Sequence, residues 1–363
     1  MKYLAKLMLS LIMLDVNPGV IFSATLRSAR EIMQIEPNET LTLANGTKVH
    51  GYRAKNLSYR NLFWYPISQP GGFIGENVRL VGRRFKDKIL LLGSFVGPDA
   101  QILGHAMISG AAQVYDKARV FGQALITDNA RISGNAHVFG KARVYGNAQV
   151  SAYALAFGWA HIYDNARVSG HARVFDEAYI SGDGQVYGNA RVYRYARVFD
   201  HSQVYGRAKV YENSWVYGNA RIFENALIYE AAHISGDAYV KGKARVYGNA
   251  NVYGNAWVYE NARVYRSAQV FERARVCGLA QIYGNAQIYE KALVDEGAQV
   301  YGNAYVFGNA WISGYAQVYG DAHVYGDSHI WGYRWVSGNN EIRGGEHFDQ
   351  LDQNNMGLEL MVR

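Results

Sequence analysis

Three histidines, His137, His161 and His233, are the side chains of this sequence best placed to move a proton near neutral pH. Each stands immediately before an aliphatic residue, as do His323 and His329, so all five are expected on an outer surface. A histidine base works best when a second group orients it. No position of the same kind carries a carboxylate, and Asp164, near His161, falls at a turn. Each histidine therefore reads more simply as a surface side chain than as a catalyst. No Gly-rich phosphate loop, zinc-protease helix, nucleophile elbow or metal-ligand spacing occurs, so neither a metal nor a cofactor is expected.

A second chemistry is written in cations and rings. Outward strand positions carry Arg119, Arg131, Arg143, Arg167, Arg173, Arg191, Arg197, Lys209, Arg221, Lys241, Arg245, Arg263 and Arg275, against a single acid, Asp295. The other acids sit in turns, as at Asp116, Asp128, Glu212 and Glu260. A flat, basic and aromatic surface with acidic corners follows. One face concentrates it: Arg119 and Phe121, His137 and Phe139, Arg173 and Phe175, Arg191 and Tyr193, Lys209 and Tyr211, Arg245 and Tyr247, Arg263 and Tyr265. Exposed aromatic strips mark interaction surfaces, and rings beside cations suit an acidic glycan or single-stranded nucleic acid. Repeat duplication of good surface residues would produce the same pattern without any partner. Where Arg173, Arg191 and Lys209 stack, cation–π contact with neighbouring tyrosines is expected to relieve repulsion, by about 0.5–1 kcal/mol each.

The element that must position these groups is a hexapeptide. From Ser94 to Val336 it repeats without insertion or deletion, as in Ala244-Arg245-Val246-Tyr247-Gly248-Asn249. A small residue opens each unit to Ser328, with Arg334 in its place in the last, and an aliphatic one follows two places later, shrinking only at Ala156. Alternation sends Ala and Val to one side and Arg and Tyr to the other. Gly-Asn makes a turn, both residues tolerating positive φ. A hairpin meander would mix charge with core on every face, because residues flanking a two-residue turn point the same way. A coil running in one direction avoids this and stacks its strands in parallel. Sorting the residue after each aliphatic by a period of 18 isolates one class that is aromatic from Phe121 to Tyr319, while the other two admit Ser109, Thr127, Ser133, Ser151, Lys241, Cys277 and Asp295. Three hexads thus make one coil, giving an all-β solenoid of about 13 coils, on the order of 60 Å long at ~4.8 Å per strand.

On these units the chain resembles the bacterial hexapeptide-repeat proteins, putative transferase-like solenoids with a left-handed parallel β-helix. The resemblance covers about two-thirds of the chain, and Gly71-Gly72-Phe73-Ile74 is similar to a stretch that precedes the first coil in such proteins. It implies left-handedness. It also implies an alternative function: acyl transfer from acyl-CoA or an acyl-carrier donor, with a histidine base between subunits of a trimer. His137, His161 and His233 are the candidates for that base. Such enzymes commonly wall their site with a loop excursion, and residues 94–336 contain none.

Residues 1–75 are expected to form an N-terminal cap module, 76–338 the β-helix and 339–363 a tail. Within 1–24, an apolar run with Lys2 and Lys6 reads either as a secretory signal or as a helix capping the open first coil. It is too short to span a membrane, so no transmembrane segment is expected. Cytoplasmic and secreted locations stay equally open. All five prolines lie at or before Pro98, which suits an unbroken ladder beyond it. The one cysteine, Cys277, is expected as an exposed thiol. At the far end, Trp331, Tyr333 and Trp335 around Arg334 are expected to cover the last coil. The net charge of +7 is modest. The function expected is a non-catalytic scaffold or binding protein that uses its aromatic-basic face to self-associate or to hold a protein partner or polyanion.

Overall fold

The structure, a computed structural model, describes residues 31–42, 48–59, 66–75, 79–80, 83–85, 88–92, 94–97 and 99–344, with side chains from Ser94 onward. The segment 1–24, read as signal or capping helix, lies outside the described residues, as does most of the tail.

Each hexad contributes a strand only two residues long, such as Arg191–Val192, with the first side chain outside and the second buried. Such a strand has no stability alone; it gains it by pairing. Arg191 pairs in parallel with Lys209 and Val192 with Val210, 18 residues on, and every later rung repeats this offset. The result is an all-β parallel solenoid with three sheets. Face I runs from Phe95–Val96 through 14 strands to His329–Ile330. Face II contains Gln101–Ile102 to Trp335–Val336, and face III contains Arg79–Leu80 to Glu341–Arg343. Fourteen strands on face I correspond to one coil more than the hexad count suggests.

The core is a single column of Ala, Val and Ile, nearly all fully buried. Burying each Val or Ile stabilises by roughly 1.5–3 kcal/mol relative to exposure. Alanine occupies the corner, where only a methyl fits. Serine replaces it at four positions, Ser94, Ser202, Ser214 and Ser328, all almost wholly buried. Burying a hydroxyl is costly unless it is bonded, and Ser202 shows how this is met: its one O–H donates to the Phe199 carbonyl at 2.6 Å, with the Val216 carbonyl also in reach at 3.1 Å.

Turn chemistry is asymmetric. Of the two turn residues only the first takes positive φ, whether Gly248 at 73° or Glu260 at 60°; the second keeps ordinary φ. Placing a non-glycine residue there costs roughly 1–2 kcal/mol. In the turns from 104 to 338 the amide of this residue also stands outside the backbone ladder. Carboxylates answer the second cost. Asp116, Asp128, Asp164, Asp200, Glu212, Glu260 and Glu296 each accept that amide from the coil above, at 2.8–3.1 Å. These seven corner acids are thus backbone caps. The next position stacks its amides, as in Asn129 to Asn147 to Asn165 at 3.1 Å each.

At the N-terminal end, β1 (Glu31–Thr42), β2 (Lys48–Tyr59) and β3 (Pro66–Gly75) form an antiparallel sheet. The end of β3 already belongs to the solenoid: Phe73 pairs with Gln101 and Ile74 with Ile102. β4 (Arg79–Leu80) pairs with Met107–Ile108. These partners are 28 residues apart (73 to 101, 79 to 107) because a hairpin of β5 (Arg83–Phe85) and β6 (Lys88–Leu92) is inserted and returns to pair with β1. At the other end Glu341–Arg343 adds a strand to face III. Trp331, Tyr333 and Trp335 do not fold over the last coil as expected; they stay 41%, 74% and 70% exposed, because the two-residue period continues and turns them outward. No helix among the described residues is long and apolar enough to cross a membrane.

Alternation predicts opposite outcomes for adjacent residues. Val192→Asp should lower stability by roughly 2–7 kcal/mol or more, since a charge would enter the column. Arg191→Gln should stay within about 0.5 kcal/mol of the parent. Urea midpoints measure both, and equal midpoints would refute the inward assignment.

Candidate functional site

Face II carries twelve rings in one file, from Phe121 to Tyr319. Each stacks on the next at centroid separations of 4.8–5.1 Å, with planes within 11°. The separation is that of the coils themselves, so the rings adopt the offset stack that their quadrupoles favour. Shorter files run along the other corners, as in Tyr253, Phe271, Tyr289, Phe307 and Tyr325.

Beside the long file stand the predicted cations. Arg173, Arg191 and Lys209 occupy adjacent rungs, as do Arg245 and Arg263. Arg119 pairs with His137, and Leu155 and Leu227 interrupt the series. Among the described residues none of these six cations is in an ion pair; the pairs that form are Arg194 with Glu212 and His201 with Asp183. Nor do the six make the expected cation–π contacts. Those lie mainly on the other faces, as where Arg197 sits 5.5 Å from Tyr179 and 4.9 Å from Trp215. The reason is that face II rings spend their π surfaces on each other and show a neighbouring cation only their edges.

The aromatic file extends further than the basic one. Past Arg263 the strand residues become Gln281, Gln299 and Gln317, which accept the hydroxyls of Tyr265, Tyr283 and Tyr301 at 3.3, 3.2 and 3.1 Å. Face II therefore has a basic segment up to Arg263 and a self-satisfied one beyond. Sequence reasoning missed this division; its signal is Gln in place of Arg sixteen residues after a Tyr.

The three candidate histidines do not come together. His137 is on face II, edge-on to Phe121 at 6.2 Å. His161 and His233 are on face III, four rungs apart, stacked on Tyr179 at 4.8 Å and Trp215 at 5.1 Å. Burial lowers all three below the usual 6.5; Arg119 adds to this at His137 and Arg143 at His161. Neutral imidazoles suit general bases, but no carboxylate is hydrogen-bonded to any of the three. No group of three or more His, Cys, Asp or Glu among the described residues could hold a metal.

Cys277 corrects the expectation of an exposed thiol. It is 7% exposed, on face I, in hydrogen-bond contact with the Tyr259 side chain one coil below. Burial pushes its thiol up, and burial together with the thiol pushes Tyr259 up to about 12.

In the file itself, burial and then the neighbouring Tyr193 and Tyr229 push Tyr211 up to about 12. A raised tyrosine stabilises the fold fully below the unfolded pKa near 10 and loses that contribution as pH rises through the folded value. A lowered histidine has the opposite slope: the unfolded chain binds its proton first, so stability falls as pH drops below 6.5. The unfolding midpoint should be flat between about pH 7 and 9.5 and decline on both sides. Absorbance titration should show tyrosines that ionise only near pH 12 or with unfolding, and a thiol reagent should modify Cys277 only on unfolding. Prompt ionisation near 10, or prompt thiol labelling, would contradict the packing described.

Four stretches of the chain, residues 130–146, 185–199, 244–260 and 298–314, match the family described as YdcK Beta solenoid repeat. No curated protein matches the sequence. Among solved structures, Arabidopsis UDP-N-acetylglucosamine acyltransferase is similar over 63% of this chain and 71% of that one, at 13% identity and a TM-score of 0.29. The repeats and the parallel ladder they build make this chain a β-solenoid repeat protein.

Proposed function

We propose that the protein is a non-catalytic binding rod that holds an extended polyanion or an acidic protein surface along the basic segment of face II. The observation that carries this reading is the run Arg173, Arg191 and Lys209, placed on adjacent rungs with no carboxylate paired to any of them. Like charges one rung apart repel by about 1 kcal/mol per pair even at water's dielectric constant. The fold retains this cost, whereas seven of its corner carboxylates are offset by a backbone amide of the next coil. An anionic chain laid along the rod would neutralise several cations at once, and the ring edges beside them give it apolar contact. Two copies joined through this face would oppose like charges, so the reading favours an acidic partner over self-association here.

Immobilised polygalacturonate and single-stranded DNA test the proposal. Retention of the protein should fall steeply with salt, since each neutralised anion releases a counterion. Changing Arg173, Arg191 and Lys209 together to Glu should abolish retention while leaving the unfolding midpoint close to the parent. Undiminished retention would overturn the proposal.

The alternative reading is an acyltransferase using an acyl-CoA or acyl-carrier donor between subunits. It requires donor binding, which stabilises a folded protein by mass action. On the binding-rod reading, saturating acetyl-CoA leaves the melting temperature unmoved; a rise of several degrees would favour the enzyme.

A further inference from the structure

A second site lies on face I, away from the aromatic-basic face. Its outward strand residues on successive rungs are Trp257, Arg275, Leu293, Trp311 and His329. Leu293 is the short one. Over it opens a concavity of ≈ 430 Å³ lined by Arg273, Arg275, Lys291, Leu293, Asn309 and Trp311, within the size range of small-ligand sites.

Its walls are held in place. The indole N–H of Trp311 donates to the Asp295 carboxylate at 3.0 Å, and the ring stacks on His329 at 4.1 Å and 7°. One π surface is thereby covered, and the other turns to the notch, where Trp311 remains 41% exposed. The amide nitrogen of Asn309 donates to Asp327 at 2.8 Å, which leaves its side-chain oxygen available. Among the described residues Arg273, Arg275 and Lys291 form no ion pair, although Glu272 and Glu290 precede two of them at the adjacent corner. Three unpaired cations therefore converge on a space bounded by a fixed, uncovered indole face.

The height of the space selects the occupant. Arg275 and Trp311 are two rungs apart, about 9.6 Å at the usual strand spacing. Van der Waals contact at the two walls takes about 3.5 Å of this, leaving roughly 6 Å. A flat aromatic base, about 3.5 Å thick at contact, would leave nearly half the gap empty. A puckered sugar ring fills it, with its C–H side on the indole, a hydroxyl on the Asn309 oxygen and an acidic substituent on Arg273, Arg275 and Lys291. The geometry points to a binding site for one acidic sugar unit, a hexuronate or a comparable sugar carrying negative charge.

Titration calorimetry with digalacturonate, its neutral counterpart digalactose, and adenosine monophosphate tests this. Digalacturonate should bind saturably and at least ten-fold more tightly than either of the others. Leu293→Trp should fill the notch, continue the ring stack and weaken binding at least ten-fold with no loss in unfolding midpoint. Arg275→Gln, at an exposed position, should weaken it several-fold. The triple charge reversal on face II should leave it unchanged, which separates this site from the one proposed above. The proposal is overturned by the absence of saturable digalacturonate binding, by equal binding of the neutral sugar, by tighter binding of the nucleotide, or by a Leu293→Trp protein that binds as the parent does.

Discussion

The repeat region depends on one constraint: the parallel ladder sets each residue directly upon its counterpart 18 residues away. Two-residue strands such as Arg191–Val192 and Lys209–Val210 cannot slip without exposing valines and burying arginines. With no insertion between Ser94 and Val336 to break the register, the same chemical type is placed on itself many times over. Side chains that gain by meeting their own kind prosper under this rule. Valines fuse into a column, rings into a file of offset stacks, and asparagines into amide ladders.

Charges are the side chains that lose by it, and the fold treats the two signs differently. Carboxylates are drawn to the left-handed turn residue, where seven of them satisfy an amide of the next coil that the ladder leaves over. Their stacking therefore has a backbone reason and leaves little to infer about partners. The cations of face II have no such reason. Their neighbours, the stacked tyrosines, are engaged with one another, and among the described residues no carboxylate pairs with the cations. What remains is a row of positive charge without an internal partner, bounded where Gln281, Gln299 and Gln317 take over and receive tyrosine hydroxyls instead.

Breaks in the rule are as informative as the rule. Leu293, set between Arg275 and Trp311, opens a notch on an otherwise regular surface because nothing of ring size fills its rung. Cys277 follows Tyr259 on its corner and is sheltered by it, so a residue with an outward address becomes one of the buried ones. The hairpin of β5 and β6 is an excursion before the uninterrupted region, reaching back to β1 and leaving the ladder itself intact.

The sequence by itself determined the direction of each side chain from Ser94 onward and the 18-residue coil. Direction follows from alternation inside a single hexad, and coil length from a periodic aromatic class, so neither needs knowledge of distant residues. It also located the cations of face II and placed the candidate histidines outside. Only the tertiary structure decided what those outward groups touch. That the corner acids bind amides, that Arg173 and Arg191 lack both carboxylates and ring faces, that His137 lies apart from His161 and His233, and that Phe73–Ile74 already belongs to the ladder are all outcomes of stacking. The physical reason is the same in each case: an outward side chain meets the coils above and below it, 16 to 28 residues away in the chain, and its contacts depend on the sizes and hydrogen-bonding needs of those neighbours.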